Sequence, residues 1–322
     1  MTFHIGRYKD RIEQRYQIEV VTPLFMGGAN PEEPELRAAS IKGLLRFWWR
    51  ARQGMQNISE LKSQEDSFFG STDRRSKFSI YFTETNNLKI ENSIHRGKKF
   101  TTQAKGKHIQ QNIIDYLGFG LCQYEKGKGN VFKRNHISPG NTFNLHIIFE
   151  NSSCYDNILQ AFNDLESFGG LGAKSRNGFG SIKIKNMNLN NVVPRQHNLV
   201  DYTSFSKYSQ LFLFQKYESW HNALSEIGIA YREARLNLEN KHNFIKRPLL
   251  AKPLIVKQEK IQIHDRHAKP YFLHVNKLEN GAYQGQILFL PYNYYDTNRR
   301  DEYLATCEKV NEHLRNNCLE VL

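Results

Sequence analysis

Cysteine is scarce in this chain: Cys122, Cys154, Cys307 and Cys318 are the four in 322 residues, with no CxxC or CxxxC among them. That excludes a disulfide-stapled scaffold and points to a reducing compartment. Cys307 and Cys318 flank His313 in a helical-looking stretch. A zinc site there would need tighter spacing and a fourth ligand. Long apolar runs are absent too, and no segment approaches the ~18 apolar residues of a membrane helix. Arg7, Lys9, Asp10, Arg11, Glu13 and Arg15 leave no room for a secretory signal in the first fifteen residues. No apolar-faced helix with a continuous cationic rim suggests a membrane surface. The expectation is a soluble, cytoplasmic protein with no membrane partner.

Catalytic and cofactor motifs are equally sparse. Twelve histidines form neither HExxH nor HxH, and neither GxSxG nor DxD occurs. His264-Asp265-Arg266-His267 is the nearest approach to a cluster and reads as a surface turn. The expectation is a non-enzyme with no metal and no cofactor.

What the chain does have is positive charge. Lys and Arg number 45 against 32 Asp and Glu, a net +13. Such a surplus favours a polyanionic partner, nucleic acid before membrane. With 21 Phe, 16 Tyr and 3 Trp there is ample material for a core. The length exceeds the usual ~100–200 residues of one domain, so two units are expected.

Periodicity predicts a strand over 16–21 and a helix over 41–52, N-capped by Ser40 and closed by Gly54. Strands follow at 77–83 and 142–150, then a helix over 155–168 and a strand at 181–184. Strand, helix, strand, strand, helix, strand is the order of a ferredoxin-like unit. The polar, Pro194-containing segment 186–198 reads as a linker. Beyond it come a strand at 211–215, a helix over 220–238, strands at 252–256, 271–276 and 285–290, and a helix over 301–314. The last two strands read as a hairpin. The fold class is therefore α+β, with tandem ferredoxin-like (RRM-related) domains at 1–190 and 199–322. The second copy is degenerate and rests on element order alone.

Residues 95–134 form a basic insertion with nine Lys and Arg, among them Lys98 and Lys99, against two carboxylates. Interspersed glycines suggest mobile loop around a short helix near 109–117. A solvated surface would explain the charge, and so would a nucleic-acid-facing loop.

Two motifs carry binding chemistry. On the 41–52 helix, Ile41, Leu44, Leu45 and Trp48 fall within ~100° and must face the core. Lys42, Arg46, Trp49 and Arg50 fall opposite. Guanidinium forks one turn apart can grip successive phosphates, and an exposed indole can stack a base. The same pattern fits snorkelling cations around a half-buried Trp49. The second motif runs from Phe168 to Gly180 and holds five glycines interleaved with Lys174 and Arg176. Gly172, Lys174, Ser175, Arg176 and Asn177 are its candidate ligand contacts. It is not a P-loop, because Phe168 and Ala173 stand where glycines are required, and GxGxxG fails at Ser175.

The string from Thr22 to Gly28, with Glu35 to Ala51, resembles the start of the RAMP superfamily of CRISPR proteins. More narrowly it resembles the first-numbered RAMP subunit of type III-B (Cmr) effector complexes. Phe68-Phe69-Gly70-Ser71, the glycine loop, Arg266–Pro270 and Leu288–Pro291 fit the same pattern, so the resemblance runs with gaps from about 16 to 291. It implies tandem ferredoxin-like folds and a place beside other Cmr subunits in an antiviral ribonucleoprotein. It also implies guide RNA and target RNA as ligands, with cleavage assigned to a different subunit. No RNP1 aromatic string is visible, so loops and a helix are expected to bind rather than a stacked sheet face. The competing expectation is a RAMP-type, metal-independent endoribonuclease that processes guide RNA. It would need a histidine base, for which His4 or His136 could be cast.

Overall fold

The computed structural model describes residues 11–30, 32–104, 107–185, 192–195, 197–240, 243–251 and 267–322. Contacts divide the chain into two units. The first comprises Met1–Ile94, Gly120–Ser175 and Phe179–Asn191, and the second His95–Phe119, Arg176–Gly178 and Val192–Leu322. The chain changes unit near residue 191, inside the expected linker. It also does so at 95, 120, 176 and 179, so the basic insertion is shared between the units rather than hung from the first.

In chain order the first unit opens with β1 (Ile12–Val20), α1 (Ala38–Gln53), α2 (Ile58–Phe69), β2 (Phe78–Thr83) and β3 (Ile90–Glu91). The chain then enters the second unit through β4 (Lys99–Ala104), β5 (Lys107–Asn112) and α3 (Ile113–Leu117). Back in the first unit come β6 (Cys122–Glu125), β7 (Gly129–Phe132), β8 (His136–Ile137), β9 (Thr142–Phe149), α4 (Tyr155–Phe168) and β10 (Ile182–Ile184). The second unit resumes with β11 (Gln210–Tyr217), α5 (Trp220–Leu236), α6 (Arg247–Leu250), β12 (Tyr271–Lys277), β13 (Tyr283–Phe289), α7 (Arg300–Arg315) and β14 (Glu320–Val321). The expected strand over 252–256 lies outside the described residues, as do residues 264–266 of the histidine cluster.

The first unit's main sheet has the order β10-β1-β9-β2, antiparallel throughout. The register pairs Tyr16 with Leu145 and Ile18 with Phe143 and Ile184. Because side chains alternate across a strand, Tyr16, Ile18, Phe143, Leu145 and Ile147 share one face. The Tyr16 ring meets Phe162 of α4 edge-on at 5.1 Å, and Trp48 of α1 lies 6.1 Å from Phe168 of α4. Both helices therefore cover that face. Each large apolar side chain fully buried here stabilises by about 1.5–3 kcal/mol.

The second unit's sheet runs β12-β13-β11-β14, also antiparallel. Numbered within each unit, both main sheets have the strand order 4-1-3-2 and the connectivity strand, helix, strand, strand, helix, strand. The hairpin expected over 271–290 is β12 with β13. The closing strand β14, two residues long, carries too little pattern to announce itself in sequence.

The insertion departs from the mobile loop that its glycines suggested. β4 and β5 pair over their full length, and α3 buries Ile113, Ile114 and Leu117. Gly228 of α5 leaves the space they need: a Cβ there would stand 2.8 Å from Leu117 and 2.9 Å from Ile113. In the first unit, β6 and β7 form a second hairpin.

Candidate nucleic-acid interface

Helix α1 starts earlier than Ser40. Its N-cap is Arg37, in extended conformation and without a side-chain cap, and Gly54 ends it with φ 56°. Its core face buries Ile41, Leu45 and Trp48 as the periodicity requires, while Leu44, expected with them, is only half-buried. Trp49 departs from expectation. It is 1% exposed, with its indole edge-on to Phe68 at 5.8 Å and Phe69 at 6.1 Å, so it cannot stack a base. The reason is α2, which the element reading overlooked although its signals are in the sequence. Asn57 caps it by accepting from the Ser59 and Glu60 amides, and Leu61, Glu65 and Phe69 follow at helical spacing.

The cations of α1 remain within reach of solvent. Glu65 of α2 is 7% exposed, and it pairs with Arg46 at 3.4 Å and Arg50 at 3.2 Å. Arg46 also donates to the Gly70 carbonyl at 2.9 Å. Burial pushes the Glu65 carboxyl above its ordinary value, against the pull of Arg50 and Arg46. Two guanidinium groups thus share one carboxylate, and the trio keeps a net positive charge. One turn earlier, the Lys42 ammonium lies 5.1 Å from the Phe78 ring centre. Burial lowers its pKa, and so does neighbouring Arg46. By contrast Arg52, on the same helix, is committed to the core as a two-pronged partner of buried Asp164.

The glycine loop divides into two parts with different employment. In the first unit its glycines serve internal packing. Gly172 has φ +78°, and a Cβ on it would stand 2.2 Å from the Phe25 carbonyl oxygen; at Gly180 (φ +68°) the Leu171 oxygen would be 1.9 Å away. The Ala173 amide donates to Phe25 and the Gly180 amide to Pro23, tying the loop to the segment after β1. The expectation that Gly172 makes room for a ligand is corrected, because that space is taken by protein backbone. Lys174 (φ +61°) and Ser175 stay half-exposed.

Arg176 and Asn177 belong to the second unit and are occupied there. The Arg176 guanidinium stacks 4.5 Å from the Phe272 ring centre and donates to the Lys269 carbonyl at 2.9 Å. Burial lowers its pKa. Asn177 donates to the Leu117 carbonyl at 2.8 Å and accepts from Lys269 at 2.7 Å. Neither is a free ligand contact, contrary to the sequence reading.

Of the insertion's cations, Lys98 and Lys99 are exposed on the second unit, with the Lys98 ammonium 5.3 Å from the Tyr217 ring centre. Arg96 is held by Asp115 at 3.0 Å. Gly97 lets the segment before β4 lie against α5, since a Cβ would stand 1.8 Å from the Ser225 hydroxyl. The structure therefore gathers Lys42, Arg46 and Arg50 on one helix face. The other candidates divide between the units, with Gly172, Lys174 and Ser175 on the first and Lys98, Lys99, Arg176 and Asn177 on the second.

His136, a candidate general base, is 1% exposed beneath the Phe25 ring, and desolvation lowers its pKa to about 4. His4 lies outside the described residues. His267 is no surface turn: it is half-buried and bonded to the Tyr292 hydroxyl and the Pro248 carbonyl. Among the described residues no group of three or more His, Cys, Asp or Glu could hold a metal, and no helix is long and apolar enough to cross a membrane.

The RAMP superfamily model matches residues 17–183. Two curated Pyrococcus furiosus proteins are similar at 27% identity. One is CRISPR system Cmr subunit Cmr1-2, over 54% of this chain and 95% of its own length. The other is Cmr1-1, over 53% of this chain and 47% of its own length. Among solved structures, the crystal structure of apo Cmr1 from Pyrococcus furiosus is similar over 97% of this chain and 98% of that one. Its TM-score is 0.60 at 19% identity. A chain in a cryo-EM structure of the type III-B Cmr-beta bound to cognate target RNA and AMPPnP, in the presence of ssDNA, is similar with TM-score 0.51 at 14% identity, over 93% of this chain and 99% of that one.

Proposed function

The chain belongs to the RAMP superfamily, and from that premise we propose that it is a non-catalytic, RNA-binding subunit of a type III-B CRISPR (Cmr) ribonucleoprotein. In this reading it contacts guide and target RNA beside other Cmr subunits, in the cytoplasm, as part of antiviral defence. The curated relatives named as Cmr subunits support the assembly. The strand order 4-1-3-2 in both main sheets supports tandem ferredoxin-like folds. The observation that carries the RNA reading is the α1 face. Lys42, Arg46 and Arg50 lie one turn apart and half-exposed, with Glu65 as the carboxylate shared by the two arginines.

Crosslinking single-stranded RNA to the purified protein tests this reading. Crosslinked peptides are expected from 38–53 and 95–112, and their absence from 38–53 would remove α1 from the interface. The ribonuclease alternative finds no support at buried His136, whereas His95 is exposed and in ring contact with His221 at 4.3 Å. Incubation with repeat RNA in EDTA is expected to leave the RNA intact. A specific product that disappears in His95→Ala would establish the nuclease instead.

A further inference from the structure

The face of the first unit's main sheet that α1 and α4 leave uncovered carries a line of polar side chains on three adjacent strands. In register, Glu13 of β1 stands diagonal to His146 of β9, which lies opposite Tyr81 and diagonal to Thr83 of β2. The side chains close those diagonals. The His146 ring meets Glu13 through Nδ1 at 2.8 Å and the Thr83 hydroxyl through Nε2 at 2.9 Å. Tyr81 stacks on the ring at 4.3 Å with planes 15° apart, and its hydroxyl donates to the same Glu13 oxygen at 2.5 Å. His146 is 8% exposed, so packing holds this geometry, whereas Thr83 is open to solvent.

The hydrogen bonds fix the tautomer. Those from Tyr81 and His146 draw the Glu13 carboxyl below its ordinary pKa, so it is ionised and can only accept. Nδ1 therefore carries the proton. In the neutral ring Nε2 is left as the acceptor, and the Thr83 hydroxyl donates to it. A hydroxyl on a base that a carboxylate orients is the arrangement of an activated nucleophile.

Two neighbours add to it. Asn144, directly opposite Thr83, is 1% exposed, and its side-chain nitrogen has no hydrogen-bond partner among the described residues. An acyl oxygen arriving at Thr83 offers that donor an acceptor. Glu84, the next residue, holds a left-handed backbone with φ 59°, a conformation that a plain turn gives to glycine. Charge selects the electrophile. Arg15 pairs with Glu84 at 2.7 Å, so one cation in the cluster faces two carboxylates, Glu13 and Glu84. That balance disfavours a phosphoryl donor, which needs cations around it. A neutral acyl donor meets no such barrier.

We propose that Thr83 is an acyl-acceptor site: its hydroxyl takes the acyl group of an activated ester, with His146 as general base and Glu13 as positioning residue. The Thr83 oxygen bonds to the acyl carbon as the bond to the leaving group breaks. The hydroxyl proton passes to Nε2 and from there to the departing phenolate or thiolate. The modified chain is itself the product, so the site stands independently of the RNA reading above.

Incubation of the full chain with p-nitrophenyl acetate, followed by peptide mass spectrometry, tests the proposal. Alkaline hydroxylamine separates an ester from the amides formed at lysines. The expected product is a hydroxylamine-labile acetyl group on Thr83, formed in the folded chain and not in urea. His146→Gln is expected to slow its formation by about 100-fold or more, with an unchanged circular dichroism spectrum. Glu13→Gln lets a side-chain amide donate to Nδ1, which reverses the tautomer. Labelling should fall similarly, and imidazole nitrogen NMR should find the His146 proton on Nε2. Thr83→Ser should keep the label. No ester on Thr83, equal labelling in urea, or wild-type labelling in folded His146→Gln would overturn the site.

Discussion

Two residues show how burial decides roles that residue type leaves open. His136 is held neutral by desolvation, its pKa lowered from 6.5 to about 4. Between those values the unfolded chain binds the proton and the native one does not. Stability is therefore full above pH 6.5 and is lost as pH falls towards 4, by up to about 3 kcal/mol. The melting temperature of the wild type should fall more between pH 7 and 5 than that of His136→Gln, which cannot titrate. Equal falls would mean that the imidazole is not the titrating group. Gly172 is the second case. Its left-handed backbone and the nearby Phe25 oxygen predict that Gly172→Val loses about 2 kcal/mol or more of stability, measured by urea unfolding. A variant of wild-type stability would show that the loop yields without cost. In sequence these glycines could serve either a ligand or a turn, because what lies opposite a missing Cβ is set by residues far along the chain.

Helix α1 is where the sequence is most legible and where its limit is plain. Its Gly54 stop follows from the C-cap preference for glycine, and the core positions Ile41, Leu45 and Trp48 from 3.6-residue periodicity; its start three residues before the expected 41 does not. The place of Trp49 does not, since periodicity on one helix cannot show that α2 covers the opposite side. Leu45→Ala should cost about 2–5 kcal/mol of stability through the cavity it leaves. Arg46→Ala and Arg50→Ala should each weaken RNA binding by roughly 1–3 kcal/mol in a filter-binding assay. Glu65→Gln should shift binding the other way, since it removes the carboxylate that the two arginines share. Weaker RNA binding by folded Glu65→Gln would mean that Glu65 positions the arginines for RNA rather than competing with it. The insertion was less legible for a similar reason. β4 and β5 expose most of their side chains, so their alternation carries little apolar signal, and pairing with each other makes them strands.

At the scale of the whole molecule, the α+β class and the order of the four strands of the first unit's main sheet were legible, because strands and helices alternate with distinct periods. The routing of the chain was not. Residues 95–119 and 176–178 join the second unit through contacts that no local pattern encodes, such as Asn177 with Leu117 and Gly97 against Ser225. The net charge of +13 belongs to this scale as well, and it bears most directly on RNA binding. The decisive measurement is the affinity of the purified chain for single-stranded RNA across a salt series. Neutralising about five phosphates predicts a log–log slope near −3.5, from ~−0.7 per contact on a single strand. A slope near zero, or no binding at low salt, would contradict a phosphate-gripping RNA subunit.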